Sequence, residues 1–449
     1  MISPGEGSVA GSSAGGSRLG VAEAPTAPEA PTASEGPGAS EGPRRDRPGG
    51  ARLAWLDALR GIGALLVVFE HLAHVYLPEV RTAISGWFVP GTWGVFVFFL
   101  VSGYIVPASL ERTRSVRGFW ISRLFRLYPL WAAVVALALG LALAGLQPHT
   151  RSMLDGADPA ATAFAHLAML QTLLASPSAV YVMWSLAFEM AFYLLVVALF
   201  ALRSHHRSAP IAVGLAVAAV AFGGVLPSNG LSRAGGTTLV AVLGTVLAIV
   251  AIAGAMSGRR RIALAGALLG GLLAVLLFGF NGTSKPWEGI TMLAVMFLGT
   301  VVYRVEHGQI RRRTAVVAVV AVLGCAMLTG VLHVADTVDT AARLPYQREW
   351  AVTVLLAALT FAAGVALRHR RLPKALTLLG VLSYSLYLLH PVLLEAHVAM
   401  FDGSRRNDWV MAVGFLCVLV PVCWLTQRYI EAPAQRLGRR VRNAVDRPR

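Results

Sequence analysis

From about residue 53 to residue 428 the chain is a succession of apolar runs, most of them about 18 residues or longer, separated by short polar or basic loops. Leu53–Leu77 is the first run, and the others fall near 88–109, 127–146, 182–202, 210–227, 237–256, 262–280, 288–303, 314–334, 350–367, 376–400 and 409–428. Helices crossing a ~30 Å hydrocarbon layer need this length. The pattern therefore predicts an all-α fold, a polytopic transmembrane helix bundle of about twelve helices, with ten or eleven as the alternative count. Residues 1–50 carry Gly, Ala, Ser, Pro and Glu without periodicity and are predicted to be a disordered tail. They lack the basic start and apolar core of a secretory signal, so the first membrane helix is expected to direct insertion. Residues 51–435 then form the membrane domain, and 436–449 a basic cytoplasmic tail.

Composition narrows the class. Hydrophobic residues make up 56% and charged residues 14% of the 449, with mean hydropathy +0.64, which excludes an ordinary soluble domain. The net charge of +16 does not point to nucleic acid, because the arginines concentrate in short loops between the runs. The stretches ERTRSVRGFWISRLFR, RSHHR, SGRRR, RVEHGQIRRR, RHRRLPK and the end from Arg428 onward all fall on one side of the predicted bundle. The positive-inside rule makes that side cytoplasmic, with both termini, and predicts a multi-pass protein of the plasma (inner) membrane. Arg405 and Arg406, on the opposite side, run against the trend. The longest loop, 146–181, is expected outside. Cys325, Cys417 and Cys423 lie in apolar runs, and neither a disulfide nor a metal site is read from them.

Ionisable residues inside the runs carry the functional signal, since one at the bilayer centre costs about 2.5–3.5 kcal/mol on insertion scales. The first run holds Asp57, Arg60, Glu70, His71 and His74. Arg60 and His71 are separated by about three helical turns, hence share a face about 16 Å apart along the axis, while Glu70 points about 100° away. The bland readings are an interfacial, snorkelling Arg60 and an interhelical histidine. Ser102 with Gly94 and Gly103 reads mainly as close packing in the second run. Ser185, Glu189 and Tyr193 repeat at i, i+4 and i+8, and Ser383, Tyr387 and His390 form a second stripe with Tyr384 beside it. Glu189 pairing with an arginine, and Tyr387 with His390 as an aromatic belt, are the structural alternatives. Arg123 and Arg126, three apart, suit bidentate phosphate contacts, although loop charge alone explains most of their neighbours.

Taken together, LDALRGIGALLVVFEH, GVFVFFLVSGYIV, the Arg123–Arg126 pair followed by LYP, WSLAFEMAFYLL, SYSLYLLHP and the terminal IEAP resemble the acyltransferase type 3 family of integral membrane proteins. The likeness runs over about residues 53–435. It implies acyl transfer, commonly of acetyl, from acyl-CoA to a hydroxyl of a sugar, glycolipid, polysaccharide or secondary metabolite. It further implies that His71 is the catalytic histidine, Arg60 its motif partner, Arg123 and Arg126 the functional arginine pair, and Glu189 the acidic position of the WSL motif. The expected helix count exceeds the family's usual ten or so, and no appended esterase-like domain is seen, which suggests the stand-alone form. On this reading His71 acts as general base, with Glu70 or Glu189 orienting it, and an acyl-histidine relay is the variant. Ser185, Tyr193, Tyr387 and His390 are supporting residues, acetyl-CoA is the expected donor, and the lipid bilayer is the setting. The competing class is a secondary transporter, whose usual internal repeat is not evident between the two halves of the chain. A non-catalytic scaffold makes no use of the buried charges.

Overall fold

A computed structural model describes residues 54–282, 285–333, 340–401 and 406–445, all within one compact unit, 48–449. The predicted N-terminal tail and Arg405 lie outside the described residues. Seventeen helices follow one another: α1 (Ala54–Tyr76), α2 (Pro78–Ile84), α3 (Pro90–Thr113), α4 (Val116–Leu143), α5 (Pro148–Gly156), α6 (Pro159–Leu167), α7 (Trp184–Ala201), α8 (Ser208–Phe222), α9 (Gly230–Gly235), α10 (Thr237–Ala255), α11 (Arg260–Phe280), α12 (Pro286–Glu306), α13 (Arg312–His333), α14 (Thr340–Leu367), α15 (Lys374–Phe401), α16 (Trp409–Thr426) and α17 (Ala432–Val445). Among the described residues there is no strand, and one isolated bridge joins Ser228 to Gly282. The protein is an all-α polytopic bundle, and among the described residues 11 helices are long and apolar enough to cross a membrane.

The predicted twelfth crossing is α8, of 15 residues. It ends where Gly223, Gly224 and Pro227 follow, residues that terminate helices, so the predicted run 210–227 overshoots it. Its first turn follows His205 and His206 beside the end of α3, and the chain after it reaches Gly282, to whose carbonyl the Asn229 amide donates. The segment therefore passes between the two faces of the bundle, and the two ends of the described chain share a face. Further boundaries differ from expectation, and α14 starts at Thr340, well before the predicted run at 350. α4 begins at Val116, capped by the Ser115 hydroxyl accepting from the Gly118 amide at 2.9 Å, so Arg117, Arg123 and Arg126 stand on a helix and not in a loop. The basic C-terminal stretch is α17, joined to α16 by a π turn over Gln427–Glu431.

α1 is clamped between α15 and α3 at positions that admit no side chain. A Cβ on Gly380 would lie 2.0 Å from the Asp57 carbonyl oxygen, and one on Gly94 would lie 2.4 Å from that of Gly63. Such close approach is how helices associate where lipid removes the hydrophobic drive between them.

One face of the bundle collects the ends of α3, α7, α10 and α12 and the starts of α4 and α11, with their arginines. There the buried Arg304 donates to Glu111 and to Gln309, both at 2.6 Å, and Glu306 accepts from the Tyr104 hydroxyl and pairs with Arg368. This network ties α3, α12 and α14. The opposite face carries a knitted cap made by residues 144–183. Its Gln147 side-chain amide donates to the Val392 carbonyl of α15, Thr150 donates to the Ala179 carbonyl, and Asn281 donates to the Leu173 carbonyl.

Candidate functional site

α1, α3, α4, α7 and α15 converge on a small polar chamber of about 60 Å³. Arg60, Ser102, Arg126, Ser185, Glu189, Tyr384 and Tyr387 line it, with Phe98, Phe99 and Leu186 as apolar walls. Three predicted stripes therefore meet. Glu189 accepts from the Ser102 hydroxyl at 3.1 Å and from the Tyr193 hydroxyl at 2.5 Å, so its charge is held by two neutral donors. Ser185 and Tyr387 hydroxyls are 2.7 Å apart, and Tyr387 donates to the Val182 carbonyl at 2.9 Å. Tyr384 donates to the Leu127 carbonyl of α4.

Arg123 and Arg126 of α4 separate. Arg126 lines the chamber with Arg60, and among the described residues neither forms an ion pair, which leaves two guanidinium groups turned to one cavity. Arg123 is buried, its guanidinium over the rings of Phe119 and Tyr193 at 5.3 and 5.1 Å. It thus braces the tyrosine that donates to Glu189.

His71 lies beyond the chamber, past Tyr387 and His390. Its Nδ1 is 2.9 Å from the Val67 carbonyl and 3.1 Å from His390 Nε2, while His390 Nδ1 is 2.8 Å from the Leu386 carbonyl. A carbonyl only accepts, so both Nδ1 atoms carry the proton. His390 Nε2 is then an acceptor for the His71 Nδ1–H. His71 Nε2 keeps its lone pair, and among the described residues it makes no hydrogen bond. Tyr181 approaches the His71 ring from the cap, centroids 5.0 Å apart, with His149 behind it.

Neither carboxylate considered as a partner for His71 reaches it. Glu70 pairs with Arg81 of α2 at 3.0 Å, because its position about 100° around α1 faces that helix, and Glu189 is engaged by Ser102 and Tyr193. His74 is exposed. Sequence reasoning passed over Tyr181, although it stands four residues before Ser185 and so extends the same stripe by one turn. Ser102 looked like a packing residue and is a donor to Glu189. Glu431 is buried under the π turn, accepting from Ser385, which in turn accepts from Thr426 at 3.0 Å. Among the described residues no group of three or more His, Cys, Asp or Glu side chains is arranged to hold a metal ion.

Comparison with known proteins adds three findings. A family model described as an acyltransferase domain matches residues 53–428. Acyltransferase MdmB of Streptomyces mycarofaciens is 32% identical over 157 residues, 33% of this chain and 39% of that protein, so the match spans well under half the length of this relative. No solved structure matches. The family match includes the first run, the arginine pair and the tyrosine–histidine stripe, and on that extent the chain belongs to the acyltransferase type 3 family of membrane proteins.

Proposed function

We propose that the protein is a membrane O-acyltransferase that moves an acyl group, acetyl in the simplest case, from acyl-CoA to a hydroxyl of a sugar, glycolipid, polysaccharide or secondary metabolite. The single observation that carries this reading is the lone pair left on His71 Nε2 by the two carbonyl-fixed histidines. That nitrogen removes the acceptor's proton as its oxygen attacks the thioester carbonyl; the C–O bond forms, the C–S bond breaks, and the imidazolium returns the proton to the departing thiolate. His390 holds the imidazolium in the way a carboxylate does in hydrolase triads, and so takes the part considered for Glu70 or Glu189.

Arg60 sits about 16 Å from His71 along α1, too far to touch the reacting carbonyl. With Arg126 it serves the donor's phosphates, and the arm of the coenzyme passes between Glu189 and Tyr387 toward His71. The arginine-rich face is then cytoplasmic, in the plasma membrane, and the acceptor arrives under Tyr181 from the other side. The test is transfer from radiolabelled acetyl-CoA to extracted acceptor by the purified full chain, wild type against His71→Ala. Transfer by the variant at the wild-type rate overturns the proposal.

A further inference from the structure

We propose that a second cavity, on the arginine-rich face between the ends of α3, α7 and α11, binds the phosphate-bearing headgroup of an anionic phospholipid. Its volume is about 930 Å³, much larger than the chamber. Arg112, Arg114, Arg203 and Arg260 line it, and among the described residues none of the four forms an ion pair. Glu111 is the acid on its wall, and Arg304 and Gln309 already occupy that carboxylate. His205 adds an unpartnered ring nitrogen, Nδ1, buried at the same site. Arg114 and Arg203 end their helices in the left-handed backbone region, φ 51° and 55°, where glycine is the favoured residue. Four uncompensated cations around one hollow call for phosphate oxygens.

Two features favour a lipid over the coenzyme. The cavity's apolar wall is α11, whose Leu264 is 39% exposed and continues outward to the equally exposed Leu268, a flank along which acyl chains run from the headgroup. Between the cavity and the chamber stand Phe119, Trp120 and Tyr193, all 2% exposed or less, packed edge to face across α4 and α7. The cavity and the chamber share no lining residue, so a donor seated here does not border Glu189. Basic pockets between membrane helices on the cytoplasmic side are where such headgroups bind.

The test titrates the purified full chain in detergent with phosphatidylglycerol, cardiolipin and phosphatidylcholine, and separately with coenzyme A and inorganic phosphate, reading bound mass by native mass spectrometry. Anionic lipid retained over phosphatidylcholine is expected, with about a 30-fold weaker affinity in the double variant Arg203→Gln, Arg260→Gln. Restoration by Arg203→Lys, Arg260→Lys, and no loss in Arg436→Gln on α17, separate the cavity from the general charge of that face and from misfolding. Equal retention of phosphatidylcholine, an equal loss in Arg436→Gln, or binding of coenzyme A alone at these arginines overturns the proposal.

Discussion

Replacing His390 with phenylalanine keeps an aromatic ring of similar reach and deletes the acceptor nitrogen. In the resting state His71 Nδ1–H is shared between the Val67 carbonyl and His390 Nε2, so losing the second acceptor removes part of a neutral hydrogen bond. In the proposed mechanism, once His71 has taken the acceptor's proton the same bond is made by a cation. Net values run about 0.5–1.5 kcal/mol for neutral hydrogen bonds and 1.5–3 kcal/mol for those to charged groups, so the difference felt in the transition state is about 1–2 kcal/mol. At about 1.36 kcal/mol per decade, kcat falls about 5–30-fold in His390→Phe, while KM for acyl-CoA stays near wild type because the arginines proposed to hold the donor are untouched. Removal of the proposed base, His71→Ala, costs about 10²–10⁴-fold on the same reasoning. Steady-state kinetics in detergent, with unfolding temperature as a folding control, read both quantities. His390→Gln, which retains an acceptor, recovers part of the loss. A phenylalanine variant with wild-type kcat, or one that glutamine does not improve, refutes the role given to His390.

Arg123 and Arg126 of α4 should fail differently. Arg126→Ala raises KM for acyl-CoA with little change in unfolding temperature, whereas Arg123→Ala lowers the unfolding temperature, since each stack of its guanidinium on the rings of Phe119 and Tyr193 contributes about 0.5–2 kcal/mol. Gly380→Ala forces α15 away from Asp57 and destabilises by about 1–3 kcal/mol or more, read as reduced yield of monodisperse protein in detergent. His166, in the cap, is buried and its pKa is lowered by that burial; Nδ1 donates to the Thr162 carbonyl and Nε2 accepts from the Ala179 amide. The unfolded chain therefore binds its proton first, and stability declines as pH drops below about 6.5. His166→Gln flattens that decline in thermal scans between pH 7 and pH 5; an unchanged slope removes His166 as its source.

Much of the site was legible because ionisable residues at membrane depth are costly and therefore few. Arg60, Glu189 and His390 stood out for that reason, and helical periodicity alone put Ser185 with Glu189 and Tyr387 with His390. Partner choice was not legible. Glu70 is next to His71 in the chain yet answers to Arg81, because α2 folds back against the end of α1 and one residue of helix turns a side chain by 100°. Arg123 and Arg126 look equivalent in sequence, yet in the fold one is buried over the rings of Phe119 and Tyr193 and the other lines the chamber. Most helix positions followed from hydropathy; the start of α4 did not, since an amphipathic interfacial turn is polar enough to read as loop. The end of α8 was marked in the sequence by its glycines, but a run of apolar residues outweighs them in any window long enough to detect a span.

The shortness of α8 bears on the membrane itself. Fifteen helical residues rise about 22 Å, against ~30 Å of hydrocarbon. The chain beyond leaves the helix at Phe222, where turn bonds from the Val225 and Leu226 amides replace the ladder, and Val225 is 78% exposed. Irregular backbone facing outward is not tolerated in the hydrocarbon itself. With α8 crossing, the expected result is an acyl-chain boundary that dips on that flank, a local hydrophobic mismatch that matches the protein to a thinner leaflet beside α8 than elsewhere around its perimeter.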